Sequence, residues 1–403
     1  MRLNAVGFYI LYVCASDNDR LQQLDFIILG GGASGLQLAH RLSKSDAYKA
    51  SSILILESNQ HKANDRTWCF WESGEGEWDD LLQNQWNKVQ FKSQSIDKTI
   101  DLGDTSYKML RSKPYYDLLY KNIAQNRPVQ IQYERCTGFS DKGTHVIVNT
   151  EHNTYQCSTL FNSIFDWNIL RQQQQYPVLQ QHFLGWYIKT PTPVFDVQKA
   201  VFMDFTVPQK QETRFMYVLP FTKTDALIEY TLFSEKLLDK SEYESAIRDY
   251  LKEKNINDYE LVEVEQGSIP MCSYPFWKHN TKNVHFIGSA GGWTKASTGF
   301  TFKNINRKTI ALVDHISANK PLSRFAKKNR FWWYDLLFLD VLSKHNHMGA
   351  QLFSGMFGKN SPKRIFRFLD EQSHFFQEIL IMRSFPTLLF VKQFFKRLFG
   401  THH

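Results

Sequence analysis

Phe26-Ile27-Ile28-Leu29-Gly30-Gly31-Gly32-Ala33-Ser34-Gly35 is the stretch that decides how this chain folds. Its four apolar residues have the length and character of a buried strand, and they run straight into a G-x-G-x-x-G turn. Residues 36–42 follow a helical pattern, and a second apolar run, Ile53-Leu54-Ile55-Leu56, ends at Glu57. Strand, glycine turn, helix, strand and acid, in that order, describe a βαβ unit that binds a dinucleotide. Gly30, Gly32 and Gly35 let the backbone turn tightly and approach a pyrophosphate. The helix after them offers unpaired N–H groups and the positive end of its dipole. Glu57 can accept hydrogen bonds from both hydroxyls of a ribose. The pattern names a class of cofactor, not a reaction.

The 403 residues suffice for one large domain or two interleaved ones. Forty-two per cent hydrophobic and 22% charged residues are ordinary globular values, whereas 15% aromatic is high. The five cysteines (Cys14, Cys69, Cys136, Cys157 and Cys272) are scattered with no CxxC pair, so neither a metal site nor a disulfide framework is expected. Residues 321–403 contain 13 Lys or Arg against 5 Asp or Glu, which accounts for the whole formal charge of +8. Phe331-Trp332-Trp333-Tyr334 and Phe394-Phe395 lie in the same segment. Cations beside exposed aromatics suit a surface facing anionic lipid headgroups, and the plainer account is a helical domain with an aromatic core. No nucleic-acid-binding motif accompanies the charge. No run of 18 apolar residues exists, so a peripheral position at the cytoplasmic face of a membrane is expected rather than a span. The apolar run from Ala5 to Ala15, behind Arg2, has the length of a signal-peptide core. Because it precedes a fold normally loaded with cofactor in the cytosol, residues 1–23 are expected to be an extension.

Fold class follows from the order of patterns. It is α/β, a Rossmann-like cofactor domain with an inserted β-rich substrate domain and C-terminal helices. The cofactor domain is expected over 24–180 and 284–320, the β-rich domain over 181–283 and a basic, aromatic helical region over 321–403. A second glycine turn follows the short apolar run Val284-His285-Phe286-Ile287, in Gly288-Ser289-Ala290-Gly291-Gly292-Trp293, with Ser297-Thr298-Gly299 close behind. Gly288, Ser289, Thr298 and Gly299 would form a second anion or polyol site, far in sequence from the first. Two such elements suit an extended ligand such as FAD.

Several segments together resemble the bacterial lycopene β-cyclases, FAD-dependent carotenoid cyclases similar in fold to flavin hydroxylases. They are residues 30–35, Asp65-Arg66-Thr67-Trp68-Cys69-Phe70-Trp71-Glu72, Gln181-His182-Phe183-Leu184-Gly185-Trp186, Met203-Asp204-Phe205, residues 228–234, Gly267-Ser268-Ile269-Pro270-Met271 and residues 288–302. They occur in family order and cover roughly residues 24–310. The resemblance implies bound reduced FAD used without net redox change, NAD(P)H as its reductant, and an acyclic ψ-end carotenoid such as lycopene, held in membrane, as substrate. This chain departs from the pattern at Tyr230, where the family often has a second acid, and at Ala296, where proline is common. Ser289 stands where the hydroxylase-like flavoproteins carry an acid.

Cyclising a ψ-end requires a proton delivered to C2, ring closure through a tertiary cation and proton loss from C6. A carboxyl group that stays protonated in an apolar cleft and a partner base are therefore needed. Glu229, flanked by Leu227, Ile228 and Leu232, has such surroundings and matches the family's acidic motif; Glu72 and Asp204 are secondary candidates. Trp68, Phe70, Trp71 and Trp293 would line a polyene tunnel and stabilise the carbocation with their ring faces. A flavin monooxygenase, a prenyl or carotenoid reductase on the same fold, and a non-catalytic flavin- or carotenoid-binding protein are the competing readings. A count of oxygen and hydrogen in the product separates them.

Overall fold

The computed structural model describes residues 22–60, 63–125, 129–326 and 328–399, and the apolar run at 5–15 lies outside them. The two apolar runs form the parallel strands Gln23–Leu29 and Ile53–Leu56, with helix Ala33–Lys44 between them. Near-continuous burial of both strands is what a parallel sheet covered on two faces demands. Strand Thr154–Asn162 pairs with Gln23–Leu29 on its other side, also parallel. Its second half then pairs with the short strand Val284–Phe286, while its first half carries an antiparallel extension through Val146–Thr150 and Cys136–Asp141.

Beyond this sheet lies a seven-stranded one, ordered Glu260–Met271, Leu179–Lys189, Asp225–Ser234, Thr213–Pro220, Lys199–Asp204, Lys88–Lys92, Asp97–Asp101. All its pairings are antiparallel except that of Lys199–Asp204 with Lys88–Lys92. The last two strands come from the stretch assigned above to the cofactor domain. Val89, Phe91 and Ile100 alternate towards one apolar core, and that burial draws the hairpin onto the larger sheet. Outside this sheet packs helix Lys240–Glu253, whose Tyr243, Ile247 and Leu251 meet Leu184, Trp186, Ile228 and Leu232. On its other face, the apolar cluster takes in residues from helices Arg330–Lys344, Gly349–Lys359, Pro362–Leu369 and Phe375–Met382. The C-terminal helices are thus part of the central core. A three-stranded antiparallel sheet, Thr67–Ser73, Thr105–Arg111 and Leu82–Trp86, adjoins both halves.

Two glycines of the first turn have different jobs. A Cβ on Gly35 would overlap the carbonyl oxygen of Gly30, so this position permits the helix to close onto its strand. A Cβ on Gly32 would meet nothing within 4 Å. Gly35→Ala is expected to lower folding stability by about 1–3 kcal/mol through overpacking, read as a lower denaturation midpoint. Gly32→Val, introduced into open space at an ordinary backbone conformation, is expected to leave the midpoint of the flavin-free protein unchanged.

Candidate active site

Helix Ala33–Lys44 begins at Gly32, which has no side chain to cap it, so its first N–H groups remain available to an anion. Glu57 is buried at the end of its strand, where Oε2 accepts from the N–H of Gly31 at 2.6 Å and Oε1 from that of Asn59 at 2.9 Å. The hydroxyl of Tyr120 lies over the same turn, buried and without a hydrogen-bond partner among the described residues. The second glycine turn reaches this place through the sheet, since Val284–Phe286 and Gln23–Leu29 both pair with Thr154–Asn162. Gly288, at φ +59°, comes so close to Ser34 that a Cβ there would strike the serine Oγ. The two cofactor motifs are therefore in contact.

From this junction a cavity of about 400 Å³ extends under the large sheet, bordered by Trp68, Ser289, Thr298, Gly299 and Glu229 among others. Two polar atoms on its wall, Gln181 Oε1 and Thr298 Oγ1, are buried and lack partners among the described residues. Orphaned polar atoms beside an open glycine turn and an anchored ribose-type acid fit a ligand carrying phosphates at one end and a polar head at the other. The residues present thus fit FAD. Ser289, in the acid's place, spends its hydroxyl on Thr294 Oγ1 at 2.9 Å.

The cavity's roof is one face of the large sheet. Alternation directs Tyr217 and Leu219, Leu227 and Glu229, and Gln181 and Phe183 into it, and sends Met216, Ile228, Tyr230 and Leu184 to the outer core. Tyr230, the position of the missing second acid, faces away and hydrogen-bonds to Arg214 at 3.2 Å. An acid there would not reach the cavity. Glu229 accepts from Thr231 Oγ1 at 2.8 Å and forms no ion pair among the described residues. Burial, together with the charge of Glu265, pushes its carboxyl up to about 8.

Glu265 is the residue that the sequence did not reveal. Gly185 stands in register with Glu229 on one side and Glu265 on the other, so the two acids lie two strand spacings apart, about 10 Å, on one face. Gly185 keeps the gap between them clear, because a Cβ there would lie 2.8 Å from Leu227 Cδ1 and 3.4 Å from Glu229 Cβ. Three donors fix Glu265: the N–H of Thr67 at 2.8 Å, its hydroxyl at 2.5 Å and Tyr187 Oη at 3.1 Å. Arg111 packs over the Tyr187 ring at 4.1 Å and is itself held by Glu263 at 2.6 Å. The phenols of Tyr107 and Tyr217 also border the cavity, and burial raises both far above the usual range, so they remain neutral.

Other expected site residues stand elsewhere. Glu72 is tied to the buried ammonium of Lys108 at 3.0 Å, together with Asp79, in the small sheet. Asp204 is fully buried beside helix Lys240–Glu253, accepting from Tyr250 Oη at 3.0 Å and from Thr206. Neither borders the cavity, because each already satisfies a structural cation or hydroxyl. Trp68 does border it, stacked on Phe302 at 5.0 Å between ring centroids. Phe70 packs against Phe302 behind that wall, Trp71 stacks on Phe366 in the central core, and Trp293 is buried in the cofactor-domain core. Their neighbours Phe300 and Phe302 take the cavity face instead.

Comparison with solved structures agrees with this architecture. A geranylgeranyl bacteriochlorophyll reductase-like protein from Thermoplasma acidophilum superposes with a TM-score of 0.58 at 10% identity, covering 92% of this chain and 98% of that one. A flavoprotein/dehydrogenase from Cytophaga hutchinsonii also gives 0.58, at 12% identity, over 93% and 100% of the two chains. At such identities the likeness establishes the fold alone. In sequence, the lycopene beta-cyclase of Pseudescherichia vulneris is 23% identical over 310 residues, 74% of either chain. The model of the lycopene cyclase protein family matches residues 25–393, nearly the full length, and by that match the chain belongs to the lycopene cyclase family.

Proposed function

We propose that the protein is a flavin-dependent lycopene β-cyclase that isomerises the ψ-ends of lycopene to β-rings without net redox change. The observation that carries this reading is a carboxyl group, Glu229, that has no cation beside it among the described residues and faces an aromatic cavity adjoining a site fitted for FAD; burial favours its protonated form. Gly30, Gly32, Gly35 and Glu57 would hold the adenosine and pyrophosphate, and Gly288, Ser289, Thr298 and Gly299 the flavin side. Bound in its reduced, anionic form, with NAD(P)H as the source of electrons, the cofactor would supply negative charge that stabilises a carbocation.

The chain's own groups account for the proton. Glu229 delivers it to C2, the C5=C6 electron pair bonds C6 to the cation at C1 and leaves the positive charge at C5, and the proton that C6 then loses, restoring the C5=C6 double bond, returns to the Glu229 carboxylate. C2 and C6 are both bonded to C1 in the closed ring, so one carboxyl group can serve both transfers, and no proton is consumed. Glu265 contributes charge rather than a proton site, since three donors occupy its oxygens. The faces of Tyr107, Tyr217, Phe183 and Trp68 surround the cation where water is excluded, about 1–2 kcal/mol for each well-placed ring.

Incubation of lycopene with the anaerobically reduced protein tests the reading. Ring formation with unchanged molecular mass and no stoichiometric NAD(P)H oxidation is expected; added oxygen or hydrogen would refute it. Glu229→Gln keeps the shape but has no proton to give. FAD should remain bound while cyclisation falls by about 10²-fold or more, measured as lycopene consumption.

The acid works only while protonated, so the rate should fall as pH rises through about 8. Removing the charge of Glu265 removes one cause of that elevation, and in Glu265→Gln the alkaline limb should move to lower pH. An unmoved limb would show that the two carboxyls are not coupled.

We further propose that the protein works at a membrane surface. No described helix is long and apolar enough to cross a membrane. Helix Thr387–Phe399 leaves Leu388, Phe395 and Phe399 exposed beside Lys392 and Lys396. Such a helix suits the headgroup layer. Sedimentation with vesicles should show stronger binding to anionic than to neutral lipid at low salt, weakening as salt is raised. Equal binding to both would remove the electrostatic part of the proposal.

A further inference from the structure

A second cavity, of about 420 Å³, lies among the helices Arg330–Lys344, Gly349–Lys359, Phe375–Met382 and Thr387–Phe399. Its walls are almost entirely apolar, with Phe338, Phe353, Met356, Phe368 and Phe390 the chief contributors. It shares Thr298 with the Glu229 cavity. A small void of about 20 Å³ lies against both, bordered by Phe300 and Phe302 from the first and Leu369 from the second. At the outer end stand Trp333, Phe375, Val391 and Phe394, which border the cavity and are also exposed to solvent. The exposed face continues past them to Phe376 at 79% and Leu388 at 87%. Of the residues in helix Thr387–Phe399, Gln393 alone is buried, the reverse of an ordinary amphipathic helix on a protein surface.

We propose that this cavity binds the unreacted length of a long acyclic hydrocarbon chain and is the passage by which that chain reaches Glu229 from a lipid bilayer beneath the last two helices. The inference rests on the cyclase reading of the Glu229 cavity. At about 400 Å³ that cavity is at the lower end of ligand-sized sites, and it must hold both the flavin head and the reacting ψ-end. The rest of the polyene has to leave it through a wall. Thr298 forms the wall common to both cavities, and the small void bordered by Phe300, Phe302 and Leu369 shows that packing between them is incomplete. An apolar lining accepts a hydrocarbon and offers almost nothing to a polar ligand. The exposed apolar mouth among basic residues places its opening where the bilayer interior would lie.

A photoreactive probe separates this proposal from the cyclase reading. An acyclic prenyl hydrocarbon carrying a diazirine, delivered in anionic vesicles to flavin-loaded Glu229→Gln protein, should label peptides containing Phe338, Phe353 or Met356. Leu337→Trp, which fills the cavity, and Val391→Glu, which puts a charge at its exposed mouth, should each reduce that labelling by about tenfold or more. In the otherwise unmodified chain the same two changes should slow consumption of vesicle-borne lycopene to a similar degree while flavin content stays the same. Labelling confined to outer residues such as Phe376 and Leu388 would overturn the passage, and so would normal labelling in both variants. Labelling as expected, together with an otherwise unmodified, flavin-loaded and reduced chain that forms no rings from lycopene, would uphold the hydrocarbon site and refute the cyclase reading instead.

Discussion

A carboxyl group held inside the protein with no cation beside it among the described residues is the constraint around which this site is arranged. Burying Glu229 with no cation beside it disfavours its anion, and a second acid on the same sheet face adds to the effect. The sheet leaves room beside both acids by placing Gly185 between them and Gly267 under the ring of Phe183. A β-carbon at Gly267 would lie 2.5 Å from that ring. These two glycines are needed for room rather than for an unusual backbone angle.

The same space must adjoin the cofactor site, and buried charge pins the parts together. Lys295 reaches both oxygens of Asp335 at 2.9 Å and Glu371 at 3.4 Å, while Ser297 donates to Asp335 at 2.8 Å. Buried ion pairs add little net stability, yet breaking one leaves an uncompensated charge, so they specify position strongly. Here the position specified is that of residues 295–301, the loop between the second glycine turn and the C-terminal helices.

Much of the cofactor half was legible in the sequence because its signals are local. A glycine turn between an apolar strand and a helix, with an acid at the end of the next strand, is a contiguous pattern whose geometry follows from the backbone alone. The acid Glu229 was legible through a family motif and its apolar neighbours. Glu265 was not, since nothing in Val264-Glu265-Gln266 distinguishes it from other acids on an edge strand whose flanking residues are exposed. The period-2 phase of Gln181, Phe183 and Gly185 carried a faint sign of a shared face, but no register.

Trp71, Trp293, Glu72 and Asp204 mark the other side of that limit. Aromatic and acidic residues near a motif suggest a site, yet whether each faces the cavity depends on strand phase and on partners such as Lys108, Tyr250 and Phe366 that are remote in sequence. The sequence by itself determined the cofactor fold, the class of ligand it suits and, through the family motif, the acid Glu229. Tertiary structure alone decided that Glu265 flanks Glu229, that Tyr230 turns away, and that the basic C-terminal helices pack into the central core. The reason is physical: turns and periodicities are set by neighbours along the chain, whereas the field around a carboxyl group is set by neighbours in space.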